Sequence, residues 1–297
     1  MTTGNAPSIP LEKDFSNGYT NGNHQHLDAN MNHDEALKRI QTAGSISISP
    51  ELFEKIYLSP QNQVKGELRK TFANPTPIAM LGFLLSLTPL SMELMNWRGT
   101  GGAGVGSAGI GNYYFFGGML MIFGSIGEWI VGNTFPFVVF GSFGAFWLGF
   151  AATLQPFYSA YGNYAPSGQP AAAGLATSEF LNSFAFFQIA MAMLDLIYMI
   201  LALRTNVVFV GIFATLTAAF SCLAASYMYA AKGNTGAAYN CQIAGGALTF
   251  TTTMLGWYLF FVIMLAALDF PFQLPVGDLS RMIKGASERN KEKEHEV

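Results

Sequence analysis

Apolar residues in this chain gather into six long runs, near 78–97, 113–131, 135–155, 180–203, 207–231 and 243–268, separated by shorter polar or glycine-rich stretches. Each run approaches or exceeds the roughly 20 residues a helix needs to cross about 30 Å of hydrocarbon. Within them only Glu93, Glu128 and Asp195 carry charge, whereas the helices of a water-soluble protein normally present a charged face. The pattern predicts an all-α membrane protein with six transmembrane helices over residues 74–280. Ahead of it, residues 1–73 are rich in Asn, Ser, Gly, His and Pro and predict a largely disordered tail. Residues 281–297 form a charged C-terminal tail. One apolar cluster in the first tail, Leu52, Phe53, Ile56, Tyr57 and Leu58, reads equally as an amphipathic turn on the membrane and as a transient helix with no lipid role.

The ends of the runs carry helix punctuation. In NPTPIAMLGF at 74–83, Asn74 can cap orphan amides, and Pro75 and Pro77 suit a first turn where an N–H is dispensable. Asn133 and Thr134, with Pro136 behind them, repeat that chemistry before the third run. Two such helix starts at similar depth could offer amide donors to a carboxylate, and ordinary capping explains the same residues. Pro89 should kink the first helix. Small residues recur every fourth position at Gly141, Ala145 and Gly149, and again at Ala214, Ala218, Cys222, Ser226 and Ala230, a spacing that lets helices approach closely in lipid.

Composition agrees with the pattern: 51% of the residues are hydrophobic and 11% charged, against about a quarter charged in soluble domains. A net charge of −3 gives no reason to expect nucleic-acid binding. Lys and Arg concentrate before residue 74 and after residue 280, leaving Arg98, Arg204 and Lys232 between. The positive-inside tendency and an even number of spans both predict cytoplasmic termini. Cys222 and Cys241 make no disulfide framework. The loop GTGGAGVGSAGIGN at 99–112 lacks the preceding strand and following Lys-Ser/Thr of a phosphate-binding loop and reads as a flexible connector. His24, His26 and His33 are loosely spaced in a polar tract and read as solvated. No nucleophile with its base, zinc-ligand set or dinucleotide fingerprint occurs, so nothing supports an enzyme, a metal site or a cofactor.

Three carboxylates remain. An ionised Asp195 near the middle of the fourth run costs at least ~2.5 kcal/mol on insertion scales, so it should face protein or water, either as a proton-accepting group beside a route or as a hydrogen-bonded packing residue. Glu128 lies near the cytoplasmic end of the second run, where proton handling and snorkelling to the interface both fit. Glu93, close to Trp97 and Arg98, reads as an interfacial anchor.

Four blocks together, NPTPIAMLGF at 74–83, GEWIVGNTF at 127–135, FGSFGAFWL at 140–148 and LRTNVVF at 203–209, resemble the acetate uptake transporter family, the YaaH-like acetate/succinate transporters, and within it the fungal acetate permease branch. The resemblance covers about residues 74 to 280. It implies a six-helix subunit in a homohexamer, with a separate route for a small monocarboxylate through each subunit. By matching motifs, the family's narrow apolar ring falls here on Phe83, Phe143 and Leu216, with Phe143 departing from the tyrosine common at its position. The family also relies on residues matching Asn74 and Glu128. The expectation is a plasma-membrane transporter or channel for acetate and related monocarboxylates, coupled to protons through Glu128 or Asp195, with acetate, protons and membrane lipid as partners. Ammonium export, acetate sensing and a membrane-organising role are the rival readings.

Overall fold

The computed structural model describes residues 25–27, 46–48, 72–101 and 106–279. In the N-terminal tail, two short strands, β1 (Gln25–Leu27) and β2 (Ile46–Ile48), pair in parallel. Apart from these strands and residues 72–73, the span 1–73 for which disorder is expected, with its cluster at 52–58, and the charged tail lie outside the described residues.

The remainder is helical. Helix α1 (Thr76–Leu94) begins behind Asn74, whose Oδ1 accepts the Thr76 amide at 2.8 Å, and passes through Pro89 without ending. Residues 110–130 form one continuous helix, α2. It starts as α-helix (Ile110–Asn112), loosens to π-helical hydrogen bonding (Tyr113–Leu120) and returns to α-helix (Met121–Ile130). There follow α3 (Thr134–Leu154), α4 (Ser178–Ala202), α5 (Val207–Ala231) and α6 (Thr235–Ala267). Side chains cap three of these starts: Thr177 accepts from Phe180, Asn206 from Phe209 and Asn234 from Ala237. Each satisfies an amide that the first turn leaves without an intrahelical partner.

Among the described residues, α1, α3, α4, α5 and α6 are long and apolar enough to cross a membrane. That makes five such helices where the apolar runs predicted six. The difference falls on α2, whose π stretch divides its 21 residues into shorter pieces. The last helix begins at Thr235, earlier than its apolar run at 243. Its polar first turns are held by the end of α1, with the Asn96 amide donating to Tyr239 Oη and Gln242 Nε2 to the Leu94 carbonyl, both at 3.2 Å.

The helices pack in chain order around a ring. Helix α1 lies against α2 and α6, α2 against α3, α4 against α5, and α5 against α6. Helix α3 meets α4 and α5 through aromatic side chains: Phe146 stacks on Phe187 at 5.8 Å and meets Phe220 edge-on at 5.4 Å. One end of the bundle carries Asn74, the 131–133 turn and the 203–206 turn; the other carries Trp97 and the 232–234 turn. Past α6 the chain folds back beneath the 203–206 turn, where the Val207 amide donates to Gly277 and the Leu279 amide to Thr205.

Close α1–α2 packing rests on glycine. A Cβ at Gly124 would lie 2.5 Å from Ala79 Cβ, and one at Gly127 would lie 2.5 Å from Pro75 Cβ. This contact brings the start of α1 beside the end of α2.

Candidate functional site: an apolar ring between two cavities

At the Asn74 end, that approach assembles a buried polar cluster. Glu128, in the last turns of α2, is fully buried, and Thr76 and Asn133 are almost so. Thr76 Oγ1 donates to Glu128 Oε1, and Asn133 Nδ2 donates to Oε2 at 2.6 Å. The Asn133 amide also donates to the Glu128 carbonyl at 2.8 Å. Both carboxylate oxygens thus accept from neutral donors, one from α1 and one from the α2–α3 turn. Asn133 stands at the N-cap position of α3 but makes no side-chain cap bond; its amide group serves Glu128. Thr134 is exposed as the first residue of α3, and Asn74 and Pro75 are half-buried ahead of α1. Nothing local in the sequence marks Thr76, because its partner lies 52 positions away.

Deeper in the bundle, Phe83 on α1, Phe143 on α3 and Leu216 on α5 are buried together. The rings of Phe83 and Phe143 meet edge-on with centroids 6.0 Å apart, a favoured aromatic geometry. All three residues line two separate cavities. The larger, about 120 Å³, lies on the Trp97 side, where Leu94 and Gln242 also border it. The smaller, about 30 Å³, lies on the Asn74 side, bordered by Met80 and Phe209. Each exceeds the roughly 10–15 Å³ that one water needs. The smaller is lined by apolar side chains and Gly256; the larger mixes aromatic and leucine walls with Gln188, Ser226, Tyr227, Gln242 and Thr249. The three residues therefore stand where the two spaces meet.

Asp195 lies apart from that line. It is fully buried on α4, lines neither cavity, and neither carboxylate oxygen accepts a hydrogen bond from the described residues. One turn further along, Tyr198 shares a hydrogen bond with Ser142 of α3 at 3.0 Å and packs against Phe143 at 6.5 Å. Glu93 is half-buried and accepts the Gly106 amide at 2.7 Å, so it pins the connector to α1. Among the described residues no three His, Cys, Asp or Glu side chains gather as a metal site would require.

Comparison with known proteins agrees with this architecture. "Protein alcS" of Aspergillus fumigatus (strain CBS 144.89 / FGSC A1163 / CEA10) is 44% identical over 253 residues, which is 84% of this chain and 92% of that protein. "Acetate transporter protein patA" of Aspergillus clavatus is 32% identical over 209 residues, 70% of this chain and 79% of that one. A solved structure, described as that of the bacterial acetate channel SatP, matches with a TM-score of 0.54 over 69% of this chain and 99% of its own, at 22% identity, a likeness of fold. The model of the GPR1/FUN34/yaaH family matches residues 57–281 and so takes in every helix of the bundle. With the family's span covering the glycine-packed helices, the buried Glu128 cluster and the ring between the cavities, the chain belongs to the GPR1/FUN34/yaaH family.

Proposed function

We propose that this integral membrane protein carries acetate and related small monocarboxylates along a path inside a single subunit, coupled to protons. The observation that carries the reading is the meeting of two cavities at Phe83, Phe143 and Leu216. The name of patA, an acetate transporter protein, points to the same substrate class. In this reading α2 is the sixth span, both termini face the cytoplasm, the membrane is the plasma membrane, and the subunits assemble as a homohexamer.

Chemistry sets the order of events. A carboxylate reaching the ring meets only apolar surface, and an unneutralised charge there pays a large desolvation cost. Acetate passes as a nearly neutral species, accompanied by a proton, and the ring selects small protonatable acids by width and by that cost. Glu128 is the first proton handler and Asp195 the second. A carboxylate accepts only, whereas a carboxylic acid also donates, so a proton arriving at Glu128 either turns Thr76 Oγ1 from donor to acceptor or displaces the Asn133 N–H₂, and alters how the α1 start is held. Asn74, Pro75, Asn133 and Thr134 shape the mouth on that side.

The test is labelled acetate uptake into liposomes containing the purified chain, with and without an inward proton gradient, against protein-free liposomes that report passive acid permeation. Saturable uptake stimulated by the gradient is the expected result. Folded protein that takes up no more than the protein-free control overturns the reading.

A further inference from the structure

The ring sorts by size and dryness but offers no polar contact, so any recognition of a carboxyl group has to occur beside it. Gln188 lies on the buried stripe of α4 within the otherwise apolar run FAFFQIAM and is only 3% exposed. Its side chain lines the larger cavity, and it makes no hydrogen bond with any described residue. Buried side-chain amides are nearly always bonded. Of the other polar groups in the same wall, Ser226 Oγ donates to the Ala238 carbonyl, Thr249 Oγ1 to Gly246 and Gln242 Nε2 to Leu94, while Trp147 Nε1 has no partner among the described residues but, as a donor alone, cannot meet a carboxylic acid hydroxyl as an amide can.

Neighbouring rings place Gln188 close to the ring of three. Phe187 stacks on Phe146, one turn along α3 from Phe143, while Phe184 meets Tyr227 of α5 edge-on at 5.1 Å. Gln188 therefore faces the cavity between α3 and α5, on the Trp97 side of Phe143.

We propose that Gln188 holds the carboxyl group of a small monocarboxylic acid in the larger cavity and so sets the affinity for substrate on that side. This rests on the transport reading above. A primary amide suits the task because its N–H₂ donates to a carboxylate and its carbonyl accepts from a carboxylic acid hydroxyl. One uncharged side chain thus meets the substrate before and after it gains a proton, with no fixed charge carried into the apolar span. Affinity from a single neutral side chain also stays weak enough for the substrate to leave.

The experiment compares the full-length chain with Gln188→Met, which preserves length and volume, in liposomes across a series of acetate concentrations. Saturation transfer from the solubilised protein to the acetate methyl group reports binding independently of flux. We expect Gln188→Met to raise half-saturation about three- to tenfold, to leave the maximal rate within about twofold, and to weaken the methyl signal. Unchanged half-saturation in a folded variant overturns the proposal, as does a fall in maximal rate alone, which marks a packing role. Should Gln188→Met fail to fold, Gln188→Glu answers the same question: its half-saturation has to climb with pH more steeply than that of the native chain, and parallel profiles overturn the proposal. A native chain showing neither saturable uptake nor methyl saturation removes the transport reading as well, whereas saturable native uptake with an indifferent Gln188 removes this inference alone.

Discussion

Glu128 accepts from one side chain at the start of α1 and one in the α2–α3 turn, so two substitutions, compared, separate its structural and proton-handling roles. In Glu128→Gln the new N–H₂ has to turn Thr76 Oγ1 from donor to acceptor or else meet Asn133 Nδ2, and the second arrangement leaves a buried polar group unpaired at about 1–3 kcal/mol. We expect a lower thermal midpoint in detergent together with loss of gradient-stimulated uptake. Thr76→Val removes one donor while keeping the carboxyl group, and should lower the midpoint but retain part of the gradient response. If Glu128→Gln keeps the full response, Glu128 does not handle the proton. At the ring, Phe83→Leu shortens one wall and gives up the edge-on contact with Phe143. Uptake of propionate and butyrate relative to acetate should rise, as measured by competition against labelled acetate.

Between elements, glycine decides how α1 and α2 meet. The Cβ of Gly124→Ala would press on the Cβ, Cα and amide nitrogen of Ala79 at 2.5 to 3.0 Å, and backbone cannot swing aside as a side-chain tip can. Overpacking of this kind costs roughly 1–3 kcal/mol. Because the same contact positions Thr76 for Glu128, Gly124→Ala should lower both thermal stability and gradient-stimulated uptake. The same change at Gly149, where an added Cβ meets nothing within 4 Å, should leave both unchanged. The π stretch of α2 belongs to this scale too. Just before it, the Asn112 carbonyl accepts Ser86 Oγ of α1 at 3.1 Å, and within it Gly117 lies so close to Trp147 that a Cβ would come within 2.4 Å of the indole. Helix α2 is thus fitted between α1 and α3 along its length.

For the whole molecule, both cavities and the ring between them are built from one chain. A route inside one subunit requires each copy to act alone even in an assembly. Liposomes reconstituted from mixtures of the native chain and a transport-dead variant should therefore show uptake linear in the native fraction. Steeper than linear dependence would place the route, or its gating, between subunits. The Pro275–Leu279 return beneath the 203–206 turn contributes Val276 to the core, so truncation before residue 275 should destabilise the α4–α5 end of the bundle rather than trim a passive tail.

The amino-acid sequence by itself determined the apolar segments, most helix starts and the family. Membrane-crossing helices must satisfy their own backbone and reach a set length, and both demands are met within a contiguous stretch of residues. Asn74 before α1 and the four motif blocks were legible for the same local reason. The ring residues Phe83, Phe143 and Leu216 were reached only through those motifs, because helices that are apolar on every side carry no periodicity to say which face turns inward. Tertiary structure alone decided that Asn133 serves Glu128, that Thr76 is its second partner, that Asp195 stands off the line of the cavities, and that the amide of Gln188 is unspent. Each depends on the rotation of one helix against another, which close packing of glycines and aromatic rings sets and residue order does not express.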